Sequence, residues 1–176
     1  MGGIIAACRM TDDINNEKSI YQVFRGMQLL QHRGKAFWKI SSGNFEVSGY
    51  GSLPAFDLIH EKVLKHQKDP MRAIVGHLSK KKPMTKRLEK INFALDGFFI
   101  DLDKLLSHPL MKRKNFEPLN QVHFIFKDLL IMRKDPYKAA EFLDRHLRGN
   151  YVINIDNEIY IFRNSTGFKP LFLGKD

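Results

Sequence analysis

The chain opens on a short apolar run, Gly2 to Cys8, which predicts a buried strand. After a polar stretch, Ile20, Val23, Phe24, Met27 and Leu30 recur at three- and four-residue spacing, which predicts a helix. Ser19 with Gln22 fits a capping box at its start, and Gly34 fits its end. Ala36–Ile40 and Phe45–Tyr50 read as strands around a turn at Ser41–Asn44, and Pro54–His66 returns to helical period. Arg72–Leu78 and Ile91–Leu95 are β-like. Two further helices are expected: one places Val122, Ile125, Phe126 and Leu129 on one face, with Asn120 as its cap. The other starts at Asp135-Pro136 and stops at Gly149. Tyr151–Ile155 and Glu158–Arg163 form a hairpin through Asp156-Asn157, and Pro170–Leu173 reads as a last strand. Hairpins mixed with helices, without strict βαβ alternation, argue for layered sheets covered by helices.

The 176 residues hold no repeat, low-complexity tract or linker, so residues 1–176 are read as one domain. A 43% hydrophobic and 27% charged composition excludes disorder and fibrous classes. Cys8 is the single cysteine, which excludes an internal disulfide and a cysteine-rich zinc site. Its place in the first strand reads as a buried thiol, and the alternative is a nucleophile exposed by removal of Met1–Ala7. No apolar run reaches membrane-spanning length, and the N-terminus lacks the basic region of a signal peptide, which points to the cytoplasm. The seven histidines show no metal-ligand spacing, so neither a metal nor a cofactor is expected. Lys+Arg of 29 against Asp+Glu of 19 gives a net charge of +10. Nucleic acid or an acidic partner would suit that charge. The clusters Lys80–Lys82 and Lys112–Lys114 lack the aromatic interleaving of a nucleic-acid site, and solvated loops are the simpler reading. Trp38 with Phe37 is read as a sheet position in preference to an exposed binding pair, Phe98-Phe99, Phe124 and Phe126 as core, and His32 as a hydrogen-bonded histidine at a helix end.

Three stretches, in order and spacing, resemble one family: Gly2-Gly3-Ile4, Leu30-Gln31-His32-Arg33-Gly34, and Arg163-Asn164-Ser165-Thr166-Gly167-Phe168-Lys169-Pro170-Leu171-Phe172-Leu173-Gly174. Gly49-Tyr50-Gly51, Gly76-His77 and Asp96-Gly97 fall where that family has further glycines. The family is that of the class II glutamine amidotransferase domains, and the resemblance is closest to the domain of amidophosphoribosyltransferase. It implies an α+β fold, the four-layer α/β/β/α sandwich of N-terminal-nucleophile hydrolases, with two antiparallel sheets. It also implies glutamine hydrolysis that feeds ammonia to a synthase domain, which is not expected within residues 1–176.

The family's functional positions are altered. Its nucleophile is a cysteine after the initiator methionine, activated by its own α-amine. The matching residue is Gly2, which has no nucleophile. The family's Gly-His-Val-Arg run uses arginine to clamp the glutamine carboxylate; this chain keeps Gly76 and His77 but has Ser79 in the arginine's place. Nearby lysine supplies charge without the guanidinium fork. The oxyanion pair Asn-Gly is Asp96-Gly97, and a carboxylate repels a developing oxyanion. The residue that holds the substrate's ammonium aligns, loosely, with Gln121.

These departures point to a catalytically inactive amidotransferase-like protein, a binding or regulatory subunit. Its partners would be an amidotransferase synthase or a second copy of the chain. The alternative is a divergent glutaminase subunit supplying ammonia to a separate synthase, such as one of purine biosynthesis.

Overall fold

A computed structural model describes residues 2–9, 16–43, 45–66, 71–80, 91–100, 128, 135–155, 158–167 and 169–174. The expected helix at residues 120–129, apart from Asp128, the Asp156-Asn157 turn, Gln121, Lys81, Lys82 and the Lys112–Lys114 cluster lie outside them. The chain divides into two compact units, Met1–Asp96 with Tyr151–Ile161, and Gly97–Asn150 with Phe162–Asp176.

The described elements are β1 (Gly2–Cys8), α1 (Asn16–Leu30), a 3-10 turn (Gln31–Arg33), β2 (Phe37–Ser42), β3 (Phe45–Tyr50), α2 (Phe56–His66), β4 (Ala73–Ser79), β5 (Ile91–Phe99), α3 (Pro136–His146), β6 (Leu147–Ile155) and β7 (Glu158–Arg163). They make a mixed fold with two sheets. One has the order β1-β4-β2-β3, every neighbouring pair antiparallel; the other has the order β5-β6-β7.

In the first unit, strand alternation gives the four-stranded sheet two different faces. On one face Ile5, Ile74, Leu78, Trp38, Ile40, Phe45 and Val47 pack with Ile20, Val23, Phe24 and Met27 of α1 and Ile59 and Val63 of α2. The three- and four-residue periodicity of α1 is therefore its sheet-facing stripe. Close approach is required here: a Cβ at Gly76 would lie 2.5 Å from Met27 Sδ and 2.7 Å from Val23 Cγ1. On the other face Ile4, Ala6 and Val75 meet Ala94, Val152 and Ile159 of the three-stranded sheet. Two buried amides tie these layers together. Asn92 Nδ2 donates to the Ser42 carbonyl at 2.6 Å, and Asn154 Nδ2 to the Ala73 carbonyl at 3.0 Å.

Several local expectations are corrected. Helix α1 begins at Asn16, so Ser19 is an interior, buried residue and not a cap. β2 runs on through Ser41 and Ser42, because both are buried and keep pairing with β3. Helix α3 starts as expected, with Asp135 accepting from the Lys138 N–H and Pro136 in the first turn. It ends at His146, however, and Gly149 lies inside β6. Pro170–Leu173 is irregular, with Phe172 and Leu173 exposed. Phe98 is 52% exposed and is not core. Trp38 is buried in the sheet as expected.

Candidate functional site

The strand register assembles the candidate site. Gly2, Ser79 and Phe37 form one cross-strand row, and Ile4, His77 and Lys39 form the next row of that face. The chain between α1 and β2 closes over the first row. The 3-10 turn ends at Gly34, whose N–H donates to the Gln31 carbonyl at 3.2 Å. Gly34 lies so close to β4 that a Cβ would stand 2.7 Å from the Ser79 backbone nitrogen. Its φ of −162° is ordinary extended backbone, so glycine is required there by contact and not by a left-handed turn. Ala36 N–H then donates to the Ser79 carbonyl at 3.1 Å. His32 is a helix-end residue, its Nδ1 2.9 Å from the Leu29 carbonyl.

This path delivers Arg33 to Asp96. Arg33 Nη2 donates to Asp96 Oδ2 at 3.1 Å, while the Gly2 N–H donates to Asp96 Oδ1 at 3.0 Å. Asp96 is 4% exposed and Arg33 28%. The family resemblance puts Asp96 at the oxyanion position, where a carboxylate repels developing negative charge. In the structure that carboxylate has a cationic partner and an N–H partner, so its charge is accommodated.

His77 sits beside this pair. Its imidazole is 3% exposed, and neither ring nitrogen has a hydrogen-bond partner among the described residues. Burial lowers its pKa to about 4, helped by the Lys39 ammonium; Asp96 and the Leu95 backbone oppose the shift. His77 is neutral at pH 7. Lys39, which sequence reading passed over, is itself 2% exposed and pairs with Glu46 Oε2 at 2.7 Å. Its signal was present but ambiguous: Lys39 and Ser41 alternate with Trp38 and Ile40, a pattern that also describes a solvent face.

Gly2 has no room for a side chain. A Cβ on Gly2 would collide with the Leu78 carbonyl oxygen and would lie 3.5 Å from His77 Nε2. Cys8 stands apart from this cluster. It lies six residues along β1, about 20 Å from Gly2 at strand rise. It is exposed, contrary to the expected buried thiol, and partial burial and Glu158 push its pKa up, away from thiolate.

Within the second unit, Gly97 is held by a similar restriction, since a Cβ would collide with the Arg148 carbonyl and lie 2.9 Å from Gly149 Cα. The tail segment after β7 satisfies its own backbone. Asn164 Oδ1 accepts from the Gly149 N–H at 3.1 Å, and Asn164 N–H donates to the Gly149 carbonyl at 3.2 Å. Arg163 Nε donates to the Lys169 carbonyl at 3.1 Å, and Asn150 Nδ2 to the Pro170 carbonyl at 2.8 Å. The Asp144 carboxylate accepts from the Ser165 hydroxyl at 2.8 Å and from its N–H, which holds Asp144 below its ordinary pKa. These contacts fix the path of the tail segment. Asn164→Ala is expected to cost about 1–3 kcal/mol, because it strands the buried Gly149 N–H; urea unfolding measures it.

Of the positions singled out in sequence, Gly2, Ser79, His77 and Asp96 are brought together in the first unit, with Arg33 and Lys39. Gly76 backs them on the helix side. No group of metal-ligating side chains occurs among the described residues, and none of their helices is long and apolar enough to cross a membrane.

No family model and no curated protein matches the sequence. Among solved structures, the fold is similar to one described as the structure of the allosteric regulatory enzyme of purine biosynthesis, with a TM-score of 0.56 and 14% identity. That match covers 92% of this chain and 35% of the other, so the chain spans about a third of that enzyme's length.

Proposed function

We propose that the chain is a catalytically inactive class II glutamine amidotransferase-like protein, a binding or regulatory subunit. Residues 1–176 would form one glutaminase-like domain with the four-layer α/β/β/α arrangement. The fold likeness supports the architecture. The observation that carries the loss of activity is Gly2: it supplies no nucleophile, and the Leu78 carbonyl occupies the place of its missing Cβ. Ser79 and Asp96 add to this reading, since neither supplies the clamp or the oxyanion donor that the family resemblance calls for. Gln121 belongs to the proposal on sequence grounds alone. The partner would be an amidotransferase synthase, or a second copy of the chain, in the cytoplasm. No metal or cofactor is required.

The test is ammonia release from glutamine by the purified chain, with Cys8→Ala in parallel. We expect no release from either. Release abolished by Cys8→Ala would favour the divergent glutaminase reading, and release surviving it would reveal another nucleophile. Calorimetry should likewise show no micromolar binding of glutamine, because a zwitterion leaving water needs charged partners at both ends.

A further inference from the structure

We propose that the Gly2 N–H and the Arg33 guanidinium form a carboxylate cradle that the chain fills with its own Asp96, closing the site from within. The donors approach separate oxygens of one carboxylate, at 3.0 Å and 3.1 Å. They come from segments remote in sequence, the first residue of β1 and the end of the 3-10 turn, and they meet on β5. Such convergence defines an anion site: a neutral N–H and a cation, fixed by a strand and a capped turn, around a 4%-exposed acceptor.

The arrangement explains why aspartate stands where the resembled family has asparagine. An amide has one acceptor oxygen and one NH2 group. Whichever way it is turned, its NH2 group would face Arg33 or the Gly2 N–H, donor against donor. Only a carboxylate answers both. Conversely, while Asp96 is in place an incoming carboxylate meets a filled cradle and a like charge. The same residue that removes an oxyanion donor thus also excludes acidic ligands from the remaining cation. This inference does not depend on whether the chain hydrolyses glutamine, so it can fail while the reading above stands, and the reverse.

The probes are formate and acetate, compared with chloride at equal ionic strength. Asp96→Ala should lower Tm by about 5–10 °C, through the unpaired Arg33 and Gly2 N–H. Formate, and to a lesser extent acetate, should raise the Tm of Asp96→Ala saturably by a few degrees through selective binding to the folded state. Neither should do so for the wild-type chain or for Arg33→Ala/Asp96→Ala. Asp96→Asn should be destabilised and show no such rescue, since its amide fills the space. If Asp96→Ala does not fold in chloride, refolding in formate decides: folding there supports the cradle, and folding in neither overturns it. Asp96→Asn as stable as wild type, or an Asp96→Ala response equal in formate and chloride, would also overturn it.

Discussion

Gly2→Cys yields a less stable protein and no glutaminase. The new Cβ points at the Leu78 carbonyl oxygen, a backbone atom held by the β1–β4 ladder. Unlike a flexible side chain, that carbonyl moves only if the strands part at their first pair, Gly2 with Ser79. Forcing such a contact costs about 2–3 kcal/mol, or a Tm lower by about 4–12 °C for a chain of this size. Gly2→Ala should cost nearly as much, which assigns the loss to the Cβ and not to the thiol. On the proposed reading, a thiol placed there would still have Asp96 and Ser79 in place of an oxyanion donor and a carboxylate clamp. Absence of one oxyanion donor alone costs about 10²–10³-fold in turnover. Circular dichroism melts of both variants and an ammonia assay of Gly2→Cys, with Met1 removed, test the argument. Unchanged melting with turnover within about a hundredfold of a working glutaminase would show that the site lost its nucleophile and nothing else.

The fold was legible in sequence where one local signal had one physical meaning. The run Gly2–Cys8 is seven apolar or small residues, and β1 has those bounds. Phe45–Tyr50 is β3, and the Ile20–Leu30 stripe is the sheet-facing side of α1. Errors fell where two meanings compete. Ser19 carries a capping side chain, yet the helix continues a turn upstream to Asn16, and burial against the sheet decides its position. Gly149 looks like a helix stop, but Leu147 already follows an extended path and the glycine serves β6.

The candidate site was legible only as a set of substitutions. Gly2, Ser79 and Asp96 could each be seen as a missing catalytic part. That Asp96 would meet Arg33 and Gly2 could not, because residues 2, 33 and 96 share no local pattern and meet only through tertiary folding. Lys39 was missed for a related reason. Alternation shows which residues share a face of a sheet, but not whether a second sheet covers that face. The exposure of Cys8 similarly depends on what packs at the end of β1, and not on the apolar run that contains it.

A second large effect is expected from acid. His77 is neutral in the folded protein, with its pKa lowered to about 4 by burial and by Lys39, against an ordinary value of 6.5. Between these values the unfolded chain binds a proton that the folded chain does not. Stability therefore rises with pH across that window. It is fully present above about pH 6.5 and is lost as pH falls towards about 4, at up to about 1.4 kcal/mol per pH unit and about 3 kcal/mol in all. Lys39 and Asp96 act on the ring directly, with Glu46 paired to Lys39 and Arg33 to Asp96. Carboxylates titrate in the lower part of the same window, so the wild-type profile alone does not isolate His77. His77→Gln removes the titrating ring and keeps a polar side chain. It should be less stable than wild type at pH 7, because a smaller and more polar amide replaces the buried ring. Its stability should nevertheless fall less between pH 6.5 and 4.5, so the two curves converge or cross on acidification. Urea unfolding at half-unit pH steps reads the difference. Parallel curves across this range would show that the imidazole has the same proton affinity folded and unfolded, and that its burial among Lys39, Asp96 and Ile4 is not what sets its charge.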